Sequence, residues 1–184
     1  MTHQLNFIYN DSDWVAPSEY PDLSQATEIA IDLETKDPNI KTKGPGWATF
    51  DGAIVGFAVA ALGQQWYFPI QHDAGGNMDL AITTAWMQDI LKTDATKIFH
   101  NASYDVGWLL VNGFEIKGKI VDTMIAAALI NENRFSFSLN ACAKDYLGEI
   151  KNETFLNEKA KEWGIDPKAD MWRLPAGYVG FYAE

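Results

Sequence analysis

The sequence predicts an α/β fold, a mixed sheet with helices on both faces, and three observations carry that expectation. Apolar residues make up 47% of the 184 and charged residues 21%, the balance of a globular domain with a full core. Short apolar runs bounded by glycine, proline, asparagine and aspartate read as strands, and longer stretches with apolar residues three and four apart read as helices. Their order is three strands, helix, strand, helix, strand, then several helices, which builds a sheet covered on both sides. No internal repeat, low-complexity stretch or linker divides the chain, so residues 1–184 are expected to form a single domain.

Residues 1–27, with Pro17 and Pro21, are expected to form an N-terminal arm containing one short strand, LNFIY. EIAIDLE then reads as a buried strand. Residues 36–52, KDPNIKTKGPGWATFDG, carry turn signals throughout and read as a long loop, a kind of segment that is often functional in a compact domain. AIVGFAVAA and QWYFPI follow as a hairpin around a Leu-Gly turn, and HDAGGN as a loop. MDLAITTAWMQDILK has helical spacing, with Leu80, Trp86, Met87, Ile90 and Leu91 forming its apolar stripe. KIFH reads as a short buried strand and SYDVGWLLVNG as a helix ended by Gly113. IKGKIVDT reads as a strand whose Asp122 caps the helix TMIAAALINEN. SLNACAKDYLG is a helix closed by glycine, 151–174 are helix and loop, and Pro175 opens a last helix, AGYVGFYAE.

The formal net charge of −11 argues against a passive binder of long duplex DNA, which needs a basic face. An acidic chain can still act on nucleic acid if its acids hold divalent metals, which then present positive charge to phosphate. The single cysteine, Cys142, excludes an internal disulfide and fits a reducing compartment such as the cytoplasm. The N-terminus has no basic segment leading into an apolar run, and no run approaches the ~20 residues that cross a membrane. No secretory signal and no membrane partner are expected, and the sequons at Asn101 and Asn152 read as chance matches.

Within IAIDLETKDPN, Asp32 and Glu34 lie two apart on the first buried strand, so both point to one face and repel each other. Something positive is expected beside them. Asp105 follows the strand KIFH, four residues after Asn101, and would share a helix face with it if the helix begins there. Sites in open α/β sheets form outside the carboxyl ends of the strands. Asp32, Glu34 and Asp105 converging there would make a hard oxygen site suited to Mg²⁺ or Mn²⁺. His3, His72 and His100 are scattered, and with one cysteine there is no zinc pattern. Two divalent ions ~3.5–4 Å apart are an arrangement for in-line phosphodiester displacement. Tyr182, a neutral phenol with an ordinary pKa of ~10, is a candidate to orient the attacking water.

DLET, NASYD and YAE, in that order, resemble the DEDDy class of 3′–5′ exonucleases, and more closely the proofreading domain of family A, DNA polymerase I-like enzymes, with loops like those of bacteriophage polymerases. The resemblance implies a ribonuclease H-like fold, two divalent ions (Mg²⁺ or Mn²⁺) and hydrolysis of single nucleotides from a single-stranded or frayed DNA 3′ end. It makes Asp32, Glu34 and Asp105 metal ligands, with Glu34 and Tyr182 positioning the water. Thr35 and Asn101 would contact the 3′-terminal nucleotide and Tyr104 would line the groove. The family's last aspartate would fall at position 186, past Glu184, so the chain is expected to be part of a longer polymerase whose polymerase domain follows it. If phage-encoded, it would work in the host cytoplasm.

Other readings stand beside this one. The acid pair could be a solvated strand end, Asp105 an exposed first-turn residue, and Tyr182 an amphipathic helix position. Asp122 is read as a structural cap, His72 and His100 as packing or loop residues, and Trp47 as a contact for a base or an adjacent domain. At the level of function, the alternatives are a ribonuclease D-like exoribonuclease and a catalytically incomplete structural module of a polymerase.

Overall fold

A computed structural model describes residues 12–184, so the expected strand LNFIY lies outside the described residues. The first strand, β1 (Glu28–Lys36), is followed by two helical turns, α1 (Ile40–Lys43) and α2 (Gly46–Thr49), then by the hairpin β2 (Ala53–Ala61) and β3 (Gln64–Pro69). Next come α3 (Leu80–Leu91), β4 (Thr96–Phe99), α4 (Ala102–Val111), β5 (Ile120–Asp122) and α5 (Thr123–Ile130). The chain continues through α6 (Leu139–Leu147), α7 (Thr154–Trp163), a 3₁₀ turn at Met171–Arg173 and α8 (Ala176–Ala183).

The five strands run in the order β3-β2-β1-β4-β5. β1 is antiparallel to β2 and parallel to β4, which is parallel to β5, so the sheet is mixed as expected. Alternation along β1 turns its side chains to the two faces of the sheet in turn, and its large apolar ones to a single face. Ile29, Ile31 and Leu33 join Met87, Leu91, Trp108 and Leu109 from α3 and α4 on one face. On the other face Ala58 and Tyr67 pack against Leu156 of α7 and Tyr178 and Val179 of α8. Lys97 of β4 is fully buried, and its ammonium is satisfied by the Thr93 carbonyl and hydroxyl and by the Lys117 carbonyl.

Several expectations are corrected. The long loop 36–52 contains α1 and α2, which its turn residues had concealed. In α3, Asp79 is the N-cap, accepting from Ile82 N at 2.9 Å, and Leu80 is half-exposed rather than part of the stripe. The fifth strand spans three residues only, and α5 stops at Ile130, short of the asparagines that the sequence reading had included. Pro175 precedes the helix as its N-cap instead of opening it. Trp47 is taken up by packing: its indole lies against α4 across Gly107, where any Cβ would sit 2.5 Å from the ring.

Candidate active site

β1 carries Asp32 and Glu34 side by side, opposite Ala58 and Gly56 of β2. β4 pairs with β1 only as far as Ala30, so beyond that point one edge of β1 is open. α4 enters there: Asp105, buried in its first turn, accepts from Leu33 N–H at 3.1 Å. All three expected carboxylates thus lie at the carboxyl ends of adjacent parallel strands, where the strand order reverses direction.

The three carboxylates feel one another's charge. Burial, followed by repulsion from Asp32, pushes Glu34 up to about 8. Asp105 is pushed up to about 8 by burial and then by the same Asp32 charge. Asp32 is raised by burial, with Lys151 the strongest opposing charge. These oxygens match a hard divalent cation in charge and donor type. As they stand they do not enclose one: among the described residues no three His, Cys, Asp or Glu side chains are grouped to hold a metal ion. One Asp105 oxygen accepts from Leu33 N–H, and the other is left to a cation.

Tyr182 reaches the same region from α8. It lines a cavity of about 390 Å³ together with Asp32, His100 and Lys151, and the Lys151 ammonium sits 3.7 Å from its ring centroid. Burial, then the charges of Glu34, Glu153 and Asp32, hold its phenol well above the ordinary value, so it stays a neutral donor.

The hydroxyls of Thr35 and Tyr104 meet at 2.8 Å. Tyr104 donates its only proton to buried Asp37 at 2.9 Å, so Thr35 donates to Tyr104 and keeps acceptor lone pairs of its own. Asp37 also accepts from Gly46 N–H, which ties the α1–α2 segment to the site. Asn101 sits at the α4 N-terminus in the left-handed region (φ 69°) and is not part of the helix face that carries Asp105.

Asp122 does more than cap α5. It accepts from Met124 N and Ile125 N, and also from Asn101 N (3.1 Å) and Ala102 N (2.8 Å), so one carboxylate fixes the starts of α4 and α5 together. Burial raises its pKa, but the four N–H donors outweigh that and keep it below the ordinary value. His100 is held by Thr123 and the Phe137 carbonyl, in keeping with a packing role.

Local reading missed a buried relay behind Glu34. Gly56, opposite Glu34, has no room for a side chain, because a Cβ would lie 2.3 Å from the Tyr67 hydroxyl. Tyr67 and His72 Nε2 are 2.6 Å apart, and His72 Nδ1 lies 3.1 Å from the Leu174 carbonyl. Burial lowers His72 to about 4, so the ring is neutral at pH 7. A carbonyl only accepts, so Nδ1 donates, Nε2 accepts and Tyr67 donates. The relay joins β3 to the turn that launches α8, and hence to Tyr182. The one sequence signal for it was an aromatic-rich third strand ending close to a histidine.

The model of the 3′–5′ exonuclease domain of DNA polymerase A matches residues 20–176. A DNA-directed DNA polymerase of Pseudomonas phage M6 is 38% identical over 97% of this chain, which covers 28% of that protein. A DNA polymerase of Salmonella phage PMBT28 is 30% identical over 79% of the chain, which covers 21% of it. The chain therefore spans about a quarter of the length of these relatives. Among solved structures, RNase D of Escherichia coli has a TM-score of 0.52 at 17% identity, with 82% of this chain and 37% of that one covered. That likeness establishes the ribonuclease H-like fold. No helix among the described residues is long and apolar enough to cross a membrane.

Proposed function

We propose, from the premise that this chain belongs to the 3′–5′ exonuclease family of DNA polymerase A, that it removes nucleotides from single-stranded or frayed DNA 3′ ends as the proofreading part of a longer polymerase. The observation that carries this reading is the buried pair Glu34 and Asp105, both held at about 8 beside Asp32. Such a cluster gains most by taking up a divalent cation. Asp32, Glu34 and Asp105 would hold two such ions, Mg²⁺ or Mn²⁺. Bound there, divalent ions acidify water and offset charge on the phosphate.

The chain's own groups supply the rest. Tyr182, as a neutral donor, and Glu34 orient the water. The water gives up a proton to solvent as its oxygen adds to phosphorus, the P–O3′ bond breaks, and the departing 3′ oxygen takes up a proton from solvent. A 5′-mononucleotide leaves. Thr35, with acceptor lone pairs unspent, receives the terminal 3′-hydroxyl, Asn101 presents its side-chain amide, and Tyr104 lines the groove with its ring. A polymerase domain C-terminal to this region is the expected partner, since the phage relatives are DNA polymerases.

The test compares DNA and RNA oligomers of one sequence, labelled at the 5′ or the 3′ end, in Mn²⁺. The proposal expects DNA to shorten stepwise from the 3′ end, so that a 5′ label marks a ladder and a 3′ label is released at once. Faster degradation of RNA would favour the exoribonuclease reading, because the 2′-hydroxyl is the group that differs.

A further inference from the structure

Lys151 is a positive charge placed at the acid cluster without an assigned partner. It lines the cavity that Asp32 and Tyr182 also line, and its ammonium lies 3.7 Å from the centroid of the Tyr182 ring. Of the two acids that flank it in sequence, Glu149 and Glu153, Glu153 is paired with Lys168 at 3.0 Å. Among the described residues no ion pair or hydrogen bond engages the Lys151 ammonium. Its charge nevertheless reaches Asp32 and Glu34, where it is the leading influence that opposes their burial. The ammonium therefore has no hydrogen-bond acceptor among the described residues, and it sits on the ring that would orient the attacking water. In a chain of net charge −11, a cation at this place fits an anion that enters from outside.

We infer that Lys151 is the protein's own phosphate contact, its ammonium held over the Tyr182 ring and donating to a non-bridging oxygen of the terminal phosphodiester. This deepens the exonuclease reading and rests on it. The face of Tyr182 restrains the flexible lysine stem, so less freedom is lost when the phosphate arrives. The same contact ties the position of the phosphate to that of the Tyr182 hydroxyl.

Fluorescence anisotropy with a labelled single-stranded DNA oligomer, in Ca²⁺ to separate binding from cleavage, tests this on the 184-residue chain. Lys151→Met keeps the stem and removes the charge, and Lys151→Arg keeps the charge. The inference expects Lys151→Met to weaken binding about tenfold. It also expects the slope of log affinity against log salt to flatten by about 0.7, the share of one phosphate contact on a single strand. Lys151→Arg should retain the slope. Unchanged affinity and slope in Lys151→Met would overturn the inference while the exonuclease reading stood. So would a slower ladder from 5′-labelled DNA in Mn²⁺ with no change of slope, because Lys151 would then act through Tyr182 alone. No binding and no ladder from the unmodified chain would remove both.

Discussion

Replacing Glu34 by glutamine removes a strongly perturbed charge at the site and keeps its shape. In the unfolded chain Glu34 titrates near 4.5, and in the folded chain near 8. The folded form therefore holds the proton over that interval, and stability of the metal-free chain falls as pH rises through it. This contribution is fully present below about 4.5 and lost by the time pH passes 8. Between pH 5 and pH 8 the loss from this one group is about 3 kcal/mol, taking 1.36 kcal/mol per unit. Glutamine carries no such loss and closely matches the protonated acid. In EDTA, Glu34→Gln and the unmodified chain should melt together at pH 5. At pH 8 the variant should melt higher by roughly 6–12 °C, at about 2–4 °C per kcal/mol for a chain of this size. Mn²⁺ at pH 8 should restore the unmodified chain and do little for the variant. Equal melting of the two at pH 8 in EDTA would refute the claim that burial and Asp32 hold this carboxyl protonated.

Further predictions concern the supports of the site. Gly56→Ala forces a methyl onto the fully buried Tyr67 ring, and should cost about 1–3 kcal/mol in urea unfolding and detach Tyr67 from His72. Asp122→Ala leaves four N–H groups at the starts of α4 and α5 without their acceptor; about 2 kcal/mol should be lost, and degradation should slow because Asp105 is carried by α4. Tyr104→Phe removes the link between Asp37 and Thr35, and should cost about 1–2 kcal/mol in thermal unfolding while keeping the ring in the groove.

The parts of this site legible in the sequence were those fixed by local rules. A period of two put Asp32 and Glu34 on one face of β1, and a strand ending just before NASYD put Asp105 at the same end of the sheet. Asp122 announced itself as a cap, because an aspartate before an apolar helical run has few other uses. What stayed hidden depends on residues far apart in the chain. Lys151, whose charge opposes the burial of Asp32, lies more than a hundred residues from β1, and nothing beside it in sequence marks it. The relay from Tyr67 through His72 to Leu174 needs β3 and the approach to α8 to be docked first. The hydroxyls of Thr35 and Tyr104 look independent in sequence, and the fold spends one on the other. Leu80 misled for the complementary reason: an apolar residue at a helix end can remain exposed.

The central claim is that the carboxylates on β1 and α4 carry metal-dependent hydrolysis from a DNA 3′ end. It is tested most directly by incubating a 5′-labelled single-stranded DNA oligomer with the chain and with Asp32→Ala, in Mn²⁺ and then in EDTA. The account predicts a ladder shortening from the 3′ end in Mn²⁺, abolished by EDTA and absent from the variant. An undiminished ladder from Asp32→Ala, or none from either protein, would contradict it.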